Sequence, residues 1–331
     1  MFNNHSVDVV EIKLEPHPNA DLLSIVKIGG YTVVVNTEMW KNHKLGAYIP
    51  PESVVPQNDR FKFLGDKPKH YIIKAKKIRG INSYGMLTPL PEGDWKVGDD
   101  LAATLGIVHY EPPTANDLTS GRACSPPPIY APKYDVPSMR KYATEVFSEG
   151  ELVWVTEKIH GCNARFTFVN GKYFCGSRNE WKANDPAMKN AYWDIFEKDQ
   201  YLKQTLEKKP GLVLYGEIAG KTQNLQYGLK ENRFFLFDVM QDGVWWDAKR
   251  TYEFALDNNL NYPPVLDTNG YPFNFEELER KVEEDSWLAA TAGQPQLMEG
   301  VVVKSMKERF SEVLQSRAQL KLVSARYYEK N

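Results

Sequence analysis

Seven prolines, Pro112, Pro113, Pro126, Pro127, Pro128, Pro132 and Pro137, crowd into residues 109–137 of a 331-residue chain. Proline has no amide hydrogen and a fixed φ, so this density blocks both helix interiors and central strands. The segment reads as a linker between residues 1–108 and residues 138–331. Each part is long enough to enclose its own core, and 42% hydrophobic with 25% charged residues is ordinary globular composition.

Upstream of the prolines, short β-rich runs at residues 31–35, 47–49 and 71–73 are separated by Gly, Pro and Asn turn signals, which predicts a small β-barrel. The net charge of −2 gives no global signal for a polyanion partner, so a nucleic-acid surface has to come from local clustering. Lys67, Lys69, Lys74, Lys76, Lys77 and Arg79 supply such a cluster within thirteen residues, with Tyr71 and Tyr84 nearby as candidate stacking rings. The competing reading is a solvated strand face.

Downstream, strands and helices mix. Residues 152–156 and 165–169 read as strands, and Asn170-Gly171 signals a two-residue hairpin turn into residues 172–175. Asp185-Pro186 predicts a helix start, with Met188, Tyr192, Ile195, Phe196, Leu202 and Leu206 as its buried stripe before Pro210-Gly211. Asn274 predicts another helix, with Glu277 completing a capping box and Phe273 stapled to Leu278. Residues 212–215 and 234–239 read as strands between them.

Five short patterns follow one another in this second part: Glu157-Lys158-Ile159-His160-Gly161-Cys162-Asn163, Ser177-Arg178-Asn179, Tyr215-Gly216-Glu217, Phe234-Phe235-Leu236-Phe237-Asp238 and Glu299-Gly300-Val301-Val302-Val303-Lys304. Lys-x-x-Gly alone carries no weight, since it recurs at Lys27, Lys62, Lys77 and Lys208. In company it does: a lysine after a strand, turned by glycine toward the next, can present an amine in a cleft. A neutral amine attacks phosphorus, so burial, cations or a metal must lower its pKa. Glu217 at a strand end can bind ribose hydroxyls or hydrated magnesium. One of Phe235 and Phe237 can stack on a base, the other being core. Glu299, Lys304 and Lys321 can face phosphates.

Cys124, Cys162 and Cys175 show neither a disulfide framework nor zinc-ligand spacing, which predicts a reducing, cytoplasmic setting. The start, Met1-Phe2-Asn3-Asn4-His5, has no leader pattern and no apolar run reaches membrane-spanning length, so a soluble, unprocessed protein is expected.

At these patterns the chain resembles the lysine-adenylate nucleotidyltransferase superfamily of DNA ligases, RNA ligases and mRNA capping enzymes. Residues 158–163 are most similar to the first motif of the RNA ligase 2 family. The front of the chain, through His17-Pro18-Asn19-Ala20-Asp21, Gly29-Gly30-Tyr31 and Tyr48-Ile49-Pro50-Pro51-Glu52, resembles OB-fold modules of tRNA-binding proteins and of Deinococcus-type RNA ligases, which share this domain order. The resemblance implies an α+β protein. An OB-type nucleic-acid-binding barrel, with Lys74, Lys76, Lys77 and Arg79 as contacts, precedes an ATP-grasp-like adenylyltransferase domain of antiparallel sheets with flanking helices.

It further implies Lys158 as nucleophile, assisted by His160 and Asn163, with Glu217 on the ribose and Phe235 or Phe237 on the base. Arg178 would meet the nucleic-acid end or the nucleotide phosphates, with Lys304 and Lys321 also near the phosphates. Glu157 and Ile159 join the nucleotide-binding set, and Glu217 and Glu299 would hold Mg2+ or Mn2+. The implied activity is ATP-dependent joining of a 3′-hydroxyl RNA end to a 5′-phosphate end, in nicked RNA-containing duplexes, by a monomer with no obligatory protein partner and no membrane. Two departures stand out: Gln319 and Val323 flank Lys321 where relatives carry a second lysine, and His160 stands where some have aspartate. The alternatives are a DNA ligase or capping guanylyltransferase, a catalytically inactive nucleic-acid-binding relative, or a tRNA-related accessory factor.

Overall fold

A computed structural model describes residues 5–110, 121–142, 145–221 and 223–330. The chain divides into two compact units, one of residues 1–112, 138–143 and 325–331, the other of residues 113–137 and 144–324.

The first unit is the OB-fold barrel. Strands Leu23–Ile28 and Tyr31–Asn36 form a hairpin, and Asp8–Glu11, Leu45–Ile49 and Met86–Thr88 form a three-stranded antiparallel sheet. Alternation turns Val33 and Val35 inward with Val26, Tyr48 and Leu87 in one core, while Val9, Ile49, Phe61 and Leu101 fill a second. Residues 138–143 belong here and not to the downstream domain expected for them. The Tyr31 and Ser138 hydroxyls are 2.8 Å apart, Lys141 pairs with Asp8 at 3.0 Å, and the buried Arg140 guanidinium stacks 4.2 Å from the Tyr84 ring centre.

The second unit is built on two antiparallel sheets. The larger has seven strands, among them Lys172–Ser177, Cys162–Val169, Leu212–Ala219 and Arg233–Gln241 in that spatial order. The smaller places Leu152–Glu157 beside Gly300–Ser305, which in turn pairs with Gln319–Val323. Asn170 (φ 52°) and Gly171 (φ 72°) make the expected tight hairpin turn. The predicted long helix is two helices, Ala191–Lys198 and Gln200–Lys208, because Asp199 ends one and caps the next by accepting from the Tyr201 and Leu202 amides. Asn190, not Asp185, starts the first, and Met188 is exposed; the rest of the predicted stripe is buried. The helix Phe275–Lys281 begins as expected at Asn274, which accepts from the Glu277 amide.

Of the proline-rich segment, Pro112 and Pro113 lie outside the described residues. The described remainder from residue 121 is woven into the second unit where a linker was expected. Ala123–Cys124 pairs with Trp181–Lys182, and Tyr134 is buried against Val213, Tyr215 and Met240. Prolines suit this edge position because only carbonyls are asked for: Pro132 accepts from the Tyr215 hydroxyl at 3.0 Å, and Ala131 from Arg165 at 2.7 Å.

The two sheets are tied by a buried ion cluster. Asp238 of the larger sheet, with no exposed surface, accepts from Lys304 of the smaller sheet at 2.7 Å, from both Arg317 terminal nitrogens at 3.1 and 3.2 Å, and from the Tyr134 hydroxyl. Burial opposes ionisation of Asp238, yet Arg317 and Lys304 together hold its carboxyl below the usual range. Asp238→Ala leaves the buried Lys304 ammonium without its carboxylate, Arg317 keeping its pair with Glu308 at 2.7 Å, and should cost about 3–5 kcal/mol. Denaturant unfolding checks this; a loss below about 1 kcal/mol is the behaviour of a solvated pair and contradicts a dry cluster.

Candidate active site

The smaller sheet contributes one wall of a cleft. Along Leu152–Glu157 and its neighbours the register sets Thr156, Val302 and Lys321 side by side on one face. Lys158 follows at the strand end, and its amide donates to the Gly300 carbonyl at 2.8 Å, which brings the side chain against Glu299. The Lys158 ammonium lies 2.6 Å from Glu299 Oε1. Glu299 Oε2 is buried without a hydrogen-bond partner among the described residues, and His160 Nδ1 lies 3.7 Å away.

The larger sheet contributes the other wall. Asn163 and Glu217 are register partners, and both line the cleft with Phe237 and Arg178. Asn163 Oδ1 is buried without a hydrogen-bond partner among the described residues. Arg178 pairs with Asp135 at 3.2 Å. Between the walls, residues 158–161 cross from one sheet to the other. Gly161 is required at that crossing by space: a Cβ there would meet the Ile218 carbonyl oxygen at 2.2 Å. Gly216 is required likewise, since a Cβ would overlap the Phe234 ring at 2.2 Å and the Phe235 carbonyl oxygen at 2.3 Å.

Phe237 owes its position to a β-bulge. The register passes from Gly216↔Leu236 to Tyr215↔Asp238, so Phe237 is the extra residue. Its ring faces Tyr134 at 4.7 Å between centres and lines the cleft, whereas the buried Phe235 lines a neighbouring cavity with Tyr227 and Tyr262. Of the two candidate stacking rings, the structure brings Phe237 to Lys158.

Three expected placements are corrected. Glu157 sits on the reverse face of its strand from Thr156, and although the residue borders the cleft beside the buried Ile159, its carboxylate is engaged elsewhere, accepting from the Ser286 hydroxyl at 2.5 Å and the Leu288 amide at 2.8 Å. Lys304 lines the cleft, but its ammonium is bonded to Asp238 and to the Phe237 carbonyl, at 2.7 Å each, where a phosphate contact was expected. In the barrel, Tyr71 and Tyr84 are buried in the cores, where stacking rings were expected. Lys76, Lys77 and Arg79 are exposed along the hairpin of Ala75–Ile78 and Ile81–Tyr84 and at its turn, and Lys74 precedes it half-buried. Sequence reasoning gave no role to Asp238, although it ends the Phe-Leu-Phe-Asp pattern, nor to Tyr134 or Arg317, which no local signal marks.

Charge is finely placed. Burial, opposed by Lys158 and reinforced by Glu299, pushes the Glu217 carboxyl up to about 8, and burial pushes Glu157 up to about 7 against its donors. Burial, opposed by Glu299, lowers the His160 pKa and so favours the neutral imidazole.

A family model for RNA ligase matches residues 151–323, and one for an OB-fold domain matches residues 6–90. The first spans more than half of the chain, and the chain belongs to the RNA ligase family. Solved structures of the Naegleria gruberi RNA ligase share its fold. A lysine-to-alanine variant of that ligase with ATP and Mn has a TM-score of 0.82 at 22% identity, over 98% of each chain. The form with PPi has a TM-score of 0.82 at 21% identity, over 100% of this chain and 99% of that one. No curated protein matches the chain by sequence.

The folded protein keeps protons on Glu217 and Glu157 where the unfolded chain, titrating near 4.5, has released them. Ligand-free stability should therefore fall as pH rises from about 4.5 toward 8 and level off above. Glu217→Gln should remove its share of that slope, up to about 1.4 kcal/mol per pH unit, in thermal melts taken from about pH 5 to 9. A wild-type-to-variant difference that ignores pH would contradict the raised pKa.

Proposed function

We propose that this chain is an ATP-dependent RNA ligase that joins a 3′-hydroxyl end to a 5′-phosphate end at nicks in RNA-containing duplexes. The observation that carries the reading is the convergence, in one cleft, of Lys158 on Glu299 at 2.6 Å with Glu217, Asn163 and Phe237 opposite. In the first step the Lys158 nitrogen forms a bond to the α-phosphorus of ATP as the bond to the bridging oxygen breaks and pyrophosphate leaves. A 5′-phosphate oxygen then displaces the lysine, giving an adenylylated end. Attack by the 3′-hydroxyl oxygen forms the phosphodiester and expels AMP.

The residues take separate parts in this scheme. Phe237 stacks on adenine, Asn163 and Glu217 hold the ribose side of the nucleotide, and Lys321 and Arg178 meet phosphate charge. Lys158 must lose its proton before attack, and His160, its neutral form favoured by burial, lies beside its partner Glu299. A divalent ion fits the donors: hard oxygens suit Mg2+ or Mn2+, and Glu299, whose Oε2 has no hydrogen-bond partner among the described residues, lies against Lys158 and within electrostatic reach of Glu217. Among the described residues no group of three or more His, Cys, Asp or Glu is placed to hold a metal by itself, so phosphate and water would complete its shell. Glu217 and Glu299 would hold such an ion, which would supply positive charge to the phosphates.

The barrel is proposed to bind RNA through Lys74, Lys76, Lys77 and Arg79. No described helix is long and apolar enough to cross a membrane, and the unpaired Cys124, Cys162 and Cys175 support a reducing, cytoplasmic setting.

Incubation with ATP labelled at the α-phosphate, with Mg2+ or Mn2+, should mark the protein covalently, and Lys158→Ala should abolish the mark. Labelling that survives the substitution, or RNA binding with no labelling under either metal, would defeat the proposal. For the barrel, the combined change of Lys76, Lys77 and Arg79 to alanine should weaken single-stranded RNA binding and flatten its dependence on log salt by about 0.7 for each phosphate no longer neutralised. An unaltered slope would place the RNA surface elsewhere.

A further inference from the structure

We infer that Tyr227 is a positioning residue for the nucleophile, its hydroxyl holding the chain crossing between Lys158 and Gly161. The ladder bond from the Lys158 amide to Gly300 is the last of the smaller sheet, and the larger sheet resumes at Cys162. Within the crossing, the His160 amide donates to the Tyr227 hydroxyl at 2.6 Å. That hydroxyl comes from a residue 67 positions away in the chain, with no exposed surface.

The backbone of Tyr227 is in the left-handed region, at φ 54°. A bulky aromatic residue reaches that region against steric cost, so surrounding contacts must impose it. They do: Gln296 Oε1 accepts from both the Gln226 and Tyr227 amides at 3.1 Å, and the Leu229 amide closes the turn onto the Gln226 carbonyl at 2.8 Å. The loop thus spends backbone strain to aim one hydroxyl at one amide of the crossing. Without it, the part-buried His160 N–H loses this acceptor and the crossing can shift. Misplacing an attacking group by about 1 Å is enough to lower a rate about a hundredfold.

The expected effect on rate rests on the ligase reading; the role in ordering the crossing does not. Tyr227→Phe keeps the ring and removes the hydroxyl, so it separates positioning from packing. Two measurements apply to the wild type and the variant: the rate of lysyl-AMP formation over a range of ATP concentrations, and amide exchange in a peptide covering residues 158–162. In the variant the maximal rate should fall about ten- to hundredfold with the ATP concentration at half-maximal rate changed less than about threefold, and His160 amide exchange should quicken about tenfold or more. Exchange elsewhere should be unchanged, which excludes general unfolding. Unaltered exchange at His160 overturns the inference whatever the rate does, and so does an undiminished rate in a protein that labels. If the wild type takes no label, the ligase reading fails while exchange at His160 still decides whether Tyr227 orders the crossing.

Discussion

A carboxylate with no access to water, Asp238, holds together the two sheets on which the candidate site is built. Burying a charge is costly unless it is paired and fully hydrogen-bonded, and Asp238 meets that condition only because Lys304, Arg317 and Tyr134 reach it from three separate stretches of chain. Two of those stretches, and the strand of Asp238 itself, also border the cleft. The Lys304 strand runs on from Glu299, the Asp238 strand carries Phe237, and the Tyr134 segment leads into Asp135, the partner of Arg178. The cluster therefore fixes the spacing between the walls without placing any of its own members in the proposed chemistry.

Sheet alternation then decides which neighbour in each motif faces the cleft. Thr156 and Glu157 are adjacent in sequence, but only Thr156 turns its side chain to that face; the carboxylate of Glu157 anchors the chain at Ser286 and Leu288 on the reverse side. In the Phe-Phe-Leu-Phe-Asp pattern a bulge breaks the alternation, so that Phe237 and Asp238 can both serve the side facing the smaller sheet. A ring for a base and an anchor for the fold come from consecutive residues.

Much of the fold was legible because its signals are local. Asn170-Gly171, the Asn274 cap and the buried positions of Tyr192, Ile195, Phe196, Leu202 and Leu206 follow from turn geometry and helical period, and they stand in the structure as expected. The domain edges were not legible in the same way. Proline density says what a segment cannot donate but not where its carbonyls will be accepted, and the described part of that segment closes the edge of the second unit. For the site, the patterns from Glu157 to Lys304 name residues that the fold gathers around one cleft, yet strand parity and ion pairing, which depend on distant partners, turn the Glu157 carboxylate to Ser286 and the Lys304 ammonium to Asp238. Arg317 and Tyr227 lie in stretches with no motif, and only the folded chain gives them a role.

The charge balance of the cleft follows from the same pairing. With the Lys304 ammonium bonded to Asp238 and the Lys158 ammonium on Glu299, the cations facing a triphosphate are reduced chiefly to Lys321 and Arg178, the latter already beside Asp135. Against them stands Glu299, while burial keeps a proton on Glu217 up to about 8 and so keeps it uncharged below that pH. A polyanion entering such a site must bring or recruit positive charge, and the oxygens left without hydrogen-bond donors among the described residues, Glu299 Oε2 and Asn163 Oδ1, are of the kind a hard divalent ion prefers. On this reading the ligand-free cleft is short of cations because part of its charge is meant to arrive with the nucleotide, and the Lys158–Glu299 contact is a resting state that nucleotide entry has to undo.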